Sequence, residues 1–260
     1  MSIIAALGVI VVLATGSAAP GQVGEVLERE LERRWGPTSS ARAEVLADPF
    51  LDLTRGRLET LRVEARHVPC GPVRLPRVRF EAQDVRVPGH SLYGIGAPVL
   101  LAPASARVRL EASAAELTAE ALRLKDAGSL DGLAVPAGPL VSLLGPRLGL
   151  SDVRVTTDAS RIHLEAKVHL GRGAARPVSA SFVPVLGGDH RSIRGTGWEV
   201  ALGGKPLPAA LLRLAGRMAP PLLDLNRLTL PGPGWRIEQL SVSPEGIVVE
   251  AAGTLASGAP

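Results

Sequence analysis

The sequence predicts an α+β fold in which a long, curved antiparallel sheet packs around two main helices. Three observations predict it. Several stretches alternate apolar and charged residues, the mark of a sheet with one solvated face. Two other stretches carry apolar residues at three- and four-residue steps, the mark of amphipathic helices. Finally, the chain is 46% apolar but only 3% aromatic, with 29 Gly and 22 Pro in 260 residues. That composition gives an aliphatic core and many turns, and the length suffices to bury a sizeable core.

In chain order, residues Ile3 to Leu13 are almost wholly apolar and precede Gly16-Ser17-Ala18-Ala19. The run is short for a membrane span, which needs roughly 20 apolar residues. With its small residues it predicts a signal peptide or membrane anchor over 1–19, leaving 20–260 as a single domain. Gln22 to Trp35 predicts a helix stopped by Gly36-Pro37, and Ala41 to Leu46 a further short turn ending before Pro49. Strands follow. Leu61, Val63 and Ala65 alternate with Arg62, Glu64 and Arg66. Val78, Phe80 and Ala82 hold one parity and Val85 and Val87 the other, which predicts a bulge near Gln83-Asp84. Ala104 to Ala112 alternates with Arg107, Arg109 and Glu111. Ser113-Ala114-Ala115-Glu116 is a capping box, opening a helix that runs to about Asp126.

The second half echoes the first. Asp152-Val153-Arg154-Val155 repeats the type of Asp84-Val85-Arg86-Val87. Arg161 to Leu170, Pro177 to Val185 and Gly197 to Leu202 predict strands, and Pro206 to Ala219 a helix. Trp235 to Val242 and Gly246 to Ala252 predict a hairpin across Pro244-Glu245. Strands then helix, twice over, predicts two similar halves.

No grouping of residues predicts catalysis. Gly89-His90-Ser91-Leu92-Tyr93-Gly94 lacks the second Gly and the strand–helix setting of a nucleophile elbow. His163 and His169 share a strand face but stand roughly 20 Å apart, too far for one metal. The single cysteine, Cys70, lies in a Pro-Cys-Gly-Pro turn and forms no intrachain disulfide. Neither a cofactor nor a metal is expected.

The net charge of +4 comes almost wholly from Arg, since Lys125, Lys167 and Lys205 are the only lysines. Between Arg55 and Arg109 ten Arg face four acids, much of this on the polar face of three adjacent strands. Two readings stay open for that stripe. One is a solvated face with cross-strand Arg–Glu pairs; the other is contact with anionic head groups. Nucleic acid is discounted, because the charge is not interleaved with aromatic residues.

The order of parts resembles a known family. An apolar N-terminal segment leads to a helix, then to Asp48-Pro49-Phe50-Leu51 and Gly56-Arg57-Leu58, then to paired strands and Ser113-Ala114-Ala115-Glu116-Leu117. The chain closes on Leu230-Pro231, Ile237-Glu238 and Leu240-Ser241-Val242-Ser243-Pro244-Glu245-Gly246-Ile247. This pattern, from about Val23 to Leu255, resembles the LmeA-like phospholipid-binding proteins of the bacterial envelope.

The resemblance implies a tubular lipid-binding fold like that of bactericidal/permeability-increasing proteins. It also implies export to the periplasm or to the outer face of the cytoplasmic membrane. The expected function is non-enzymatic binding or carriage of phospholipid. A structural envelope protein with a filled core is the main alternative, and a lipid hydrolase is third. Phe50, Leu51, Leu61, Val63, Val78, Phe80, Val108, Leu110, Leu117 and Leu122 are then candidates for an acyl-chain groove. Arg62, Arg66, Arg77 and Arg79 are candidates for head-group contact on an anionic membrane. Protein partners are not indicated.

Overall fold

In the computed structural model the strands divide between two antiparallel sheets. The structure describes residues 20–46, 57–70, 73–86, 102–126, 148–170, 174–218, 221–225 and 234–255. Helix α1 (Pro20–Trp35) precedes β1 (Ser40–Leu46), β2 (Arg57–Cys70), β3 (Val73–Arg86) and β4 (Ala104–Ser113). Helix α2 (Ala114–Asp126) then leads to β5 (Leu148–Thr157), β6 (Ile162–Leu170), β7 (Arg176–Leu186), β8 (Ser192–Leu202) and the short β9 (Lys205–Pro206). Helix α3 (Ala209–Met218), the short β10 (Leu223–Asp224) and the hairpin β11 (Arg236–Ser243) and β12 (Gly246–Leu255) complete the chain. The first sheet has the order β1-β2-β3-β4-β12-β11, and the second β10-β8-β7-β6-β5, with β9 also pairing with β8.

Helix α1 ends where Gly36 takes a left-handed φ of 92° and donates its N–H to the Glu32 carbonyl at 2.9 Å, the glycine stop expected from Gly36-Pro37. Residues 41–46 form not a turn but strand β1, paired with β2 from Ser40↔Arg66 to Leu46↔Thr60. The period-two order of Ala41, Ala43 and Val45 against Arg42 and Glu44 suits a sheet edge better than a turn.

Helix α1 is fitted to that edge along one stripe. A side chain on Gly24 would collide with the Ala43 carbonyl oxygen, so glycine permits the close approach. One helical turn on, Glu28 accepts the Ala43 N–H at 2.8 Å, and Glu32 accepts that of Ala41 at 3.1 Å. Leu27 and Leu31 are fully buried against the sheet's apolar face.

The long strands β2 and β3 keep one register from Arg57↔Arg86 to Cys70↔Val73. The parity slip expected at Gln83-Asp84 is present, with Asp84 at φ 54°. It is no one-strand insertion, however. Leu58↔Val85 and Leu61↔Ala82 are all buried, so β2 slips at the same level. Strand β5 does contain an insertion, between Ser151 and Arg154, and Asp152 there has φ 53°. Aspartate tolerates this left-handed geometry better than most residues.

The capping box forms as expected. Glu116 N donates to Ser113 Oγ at 3.2 Å, and Glu116 Oε2 accepts from Ser113 N at 2.8 Å. Helix α2 then lies along the free edge of β5. Thr118 Oγ1 accepts the Val155 N–H at 2.8 Å, and its single proton is shared between the carbonyls of Ala114 at 2.9 Å and Val155 at 3.1 Å.

The sheets share a core. That of the first sheet also includes Ile193 of β8 and Leu225, and Ile237 N of β11 donates to the His190 carbonyl at 2.6 Å. A smaller cluster of Val155, Ile162 and Phe182 carries Leu117 and Ala121 of α2 together with Val242 and Ile247 of the hairpin.

These contacts rank substitutions. Leu31→Ala should lower the unfolding free energy by about 2–5 kcal/mol, as a buried truncation that leaves a cavity. Glu28→Ala should cost about 1 kcal/mol for its lost hydrogen bond. Leu211→Ala, at a position 46% exposed, should stay within about 0.5 kcal/mol. Denaturant titration of the three variants checks the order.

Candidate functional site

The arginine stripe occupies the outer face of the first sheet, where it is interleaved with glutamates. Arg62 lies 3.5 Å from Glu81, and Arg79 lies 3.1 Å from Glu64. Glu111 gathers three guanidinium groups: Arg109 at 2.6 Å, Arg77 at 3.2 Å and Arg79 at 3.6 Å. Arg109 also meets Glu250 at 2.6 Å, joining β4 to β12. Partial burial pushes the Glu111 carboxyl upward, but the Arg109 hydrogen bond and the charges of Arg79 and Arg109 outweigh it and hold the group below the usual carboxylate range.

A depression of about 590 Å³ spans this face. Its charged lining is Arg62, Arg79, Arg107 and Arg109 against Glu44, Glu64, Glu81, Glu238 and Glu250. Four cations against five anions balance the charge lining this depression.

A second depression, of about 540 Å³, lies where the second sheet meets the β9–α3 segment. Leu164, Ala180 and Val200 form one row across β6, β7 and β8, since Leu164 pairs with Ala180 and Ala180 with Val200. Leu207 and Leu212 contribute from the β9–α3 side. Leu164 also packs on the Val155–Ile162–Phe182 cluster beside α2, so the depression borders that core. A tilted Phe182–Trp198 ring pair, with centroids 4.2 Å apart, stiffens the neighbouring corner.

The polar residues lining this depression include His163, Glu165, Ser179, Ser181 and Glu199. Of these, His163, Ser181 and Glu199 are committed to one another or to their neighbours. Arg161 Nη2 donates to Ser181 Oγ at 3.0 Å and to the Gly197 carbonyl at 2.9 Å, and it lies 2.9 Å from Glu199 Oε1. His163 Nε2 lies 2.7 Å from Asp158 Oδ2. Asp158 Oδ1 accepts the N–H groups of Ser160 at 2.9 Å and Arg161 at 2.7 Å. The His163 hydrogen bond, followed by those two, holds the Asp158 carboxyl down at about 2. His169 instead contacts Ser151 Oγ at 3.0 Å, apart from His163. Among the described residues no three His, Cys, Asp or Glu side chains are grouped to hold a metal. Cys70 is half-buried, and burial pushes its thiol above the ordinary range, as suits an inert thiol.

The groove candidates fall into separate places. Leu61, Val63, Val78, Phe80 and Val108 are buried in the large core with Leu27 and Leu31 of α1, and Leu110 packs on its margin. Leu117 joins the smaller cluster, and Leu122 is half-buried on α2. Phe50 and Leu51 lie outside the described residues. Of the head-group candidates, Arg62, Arg77 and Arg79 have carboxylate partners, whereas Arg66 sits exposed opposite Arg77 in the register.

A family model described as LmeA-like phospholipid-binding matches residues 14–252. The chain belongs to that family. No curated protein matches it in sequence. The family match spans both sheets, and so includes the depression beside α3 that sequence reasoning did not single out. The available signal was the leucine-rich Leu207, Leu211 and Leu212 next to a strand row of small and aliphatic residues. It was obscured because Leu164, Ala180 and Val200 are brought together only by strand pairing.

The Asp158 network carries a pH signature. Its carboxyl is bound more weakly to protons in the folded state than in the unfolded chain. Its stabilising effect is therefore present above about pH 4 and is lost as the pH falls toward about 2. Asp158→Asn should lower the melting temperature at pH 7 and leave it nearly unchanged at pH 2. Thermal melts of both proteins at the two pH values check this.

Proposed function

We propose that the chain is a non-enzymatic binder or carrier of phospholipid in the bacterial cell envelope. The observation that carries this reading is the family match over residues 14–252. A single lipid-binding domain following an export segment over 1–19 completes it. The reading includes the long, curved sheets and twofold repetition of a tubular lipid-binding fold. Supporting it, Asp84-Val85 and Asp152-Val153 share a left-handed Asp followed by a buried Val.

The acyl chains enter the depression beside α3. Its volume falls within the roughly 300–1,000 Å³ of small-molecule sites, and its row of Leu164, Ala180 and Val200 with Leu207 and Leu212 offers aliphatic contact. Each buried methylene contributes about 0.8 kcal/mol without demanding one fixed shape. Ser181 is held by Arg161, and His163 is turned to Asp158 through Nε2. Ser181 Oγ also donates to Glu199 Oε2 at 3.4 Å, so these polar side chains satisfy one another beside the aliphatic wall.

A structural role draws support from the first sheet alone. Its row of Ala82, Ala106 and Gly253 is covered, with the Trp235 ring lying so close over Gly253 that a methyl there would meet Cδ2 at 2.5 Å. The two readings separate through two tryptophans. Ala106→Trp should overpack the covered row and cost about 1–3 kcal/mol. Ala180→Trp, at a half-buried wall of the depression, should leave the melting temperature nearly unchanged and displace lipid. Mass spectrometry of lipid extracted from the purified protein reads the outcome. A parent protein free of lipid, and unable to take it up, would sink the carrier reading and leave the structural one. For export, N-terminal sequencing of protein from the native host should begin near Ala19 or Pro20; an intact Met1 in the cytosol would refute it.

A further inference from the structure

We propose that the segment from Lys205 to Leu223, built around α3, docks the protein on an anionic lipid bilayer. This places the depression beside α3 at the membrane surface, and it rests on the lipid-binding reading above. Three observations converge on it. First, the described residues include three large apolar side chains that are exposed, and two of them, Leu211 at 46% and Leu222 at 37%, belong to this segment. Second, the nineteen-residue stretch carries Lys205, Arg213 and Arg217 and no Asp or Glu. The arginine stripe of the first sheet, by contrast, is matched by glutamates across its depression. Third, the segment has one side committed to the protein. Leu207 N donates to the Val200 carbonyl at 2.8 Å, and Leu222 N donates to the Ile193 carbonyl at 2.8 Å. Leu207 and Leu212 line the depression, whereas Leu211 and Arg213 are exposed.

Leucines beside cations, on a segment without acids, match an interfacial helix. Its apolar side chains enter the acyl boundary while its cations meet phosphate. The nearby carboxylate of Glu199 is already paired with Arg161 and so opposes that approach less than a free acid would. Each cation close to an anionic leaflet strengthens binding about fivefold.

Co-sedimentation with vesicles tests the docking, using phosphatidylcholine alone and phosphatidylcholine mixed with phosphatidylglycerol. The parent should sediment with the anionic vesicles and far less with the neutral ones. Leu211→Ser with Leu222→Ser should weaken binding at least tenfold, as should Lys205→Gln with Arg213→Gln, both with melting temperatures near that of the parent. Arg62→Gln with Arg66→Gln, on the first sheet, should change it less than twofold. A parent that ignores both vesicles, or segment variants that bind like the parent, would overturn the docking. Loss of binding only in the first-sheet variant would overturn it too.

Native mass spectrometry with soluble dihexanoylphosphatidylglycerol separates the two proposals. Uptake retained by the leucine variant supports docking as a step distinct from lipid capture. Vesicle binding that depends on these side chains without any soluble-lipid uptake supports docking while sinking the carrier reading.

Discussion

An open antiparallel sheet leaves one apolar face to cover and two rows of edge backbone groups to satisfy, and the helices of this protein meet both demands. The stripe Gly24, Glu28 and Glu32 on α1 is the plainest case. Glycine lets the helix approach the backbone of β1, the two carboxylates take its outward N–H groups, and Leu27 and Leu31 reach the buried face. Thr118 of α2 serves the edge of β5 with one hydroxyl acting as acceptor and donor to the same residue. At β11 the second sheet itself contributes, through the His190 carbonyl. Exposed edges invite pairing with other chains, so these arrangements protect solubility as well as stability.

The same covering explains why the sheets differ in what they offer a ligand. The first is covered by α1, Trp235, Ile193 and Leu225, and its aliphatic face is consumed as core. On its outer face Arg62, Arg77, Arg79 and Arg109 are paired with glutamates, and exposed pairs of that kind contribute little individually. Among the described residues the second sheet is covered less completely. Helix α2 takes one edge, and α3 bridges β9 and β10 while leaving a depression beside Leu164, Ala180 and Val200. There a helix has not filled the row.

Local chemistry made much of the fold legible in the sequence. The capping box at Ser113, the glycine stop at Gly36, the alternation of β2 to β4 and the hairpin at Pro244-Glu245 each depend on neighbours within a few residues. Strand β1 was obscured because its centre, Ala41-Arg42-Ala43-Glu44, is made of good helix formers, and its short alternation is decided only by pairing with β2. The irregularity at Asp84 was legible as a change of parity, but not that β2 slips with it and keeps the register, since nothing near Leu58 announces it.

The sequence by itself determined most element types, β1 excepted, the aliphatic character of the interior, the absence of an intrachain disulfide and the family to which the pattern belongs, because these follow from composition and from spacing along the chain. Only the tertiary structure decided the division into two sheets, the return of β12 to β4, the pairing of the arginine stripe with Glu111 and Glu250, and the gathering of Leu164, Ala180 and Val200 beside Leu207 and Leu212. Each of these joins residues far apart in sequence. Which strand lies beside which depends on how apolar faces and open edges are covered together, and no stretch of the chain carries that information alone.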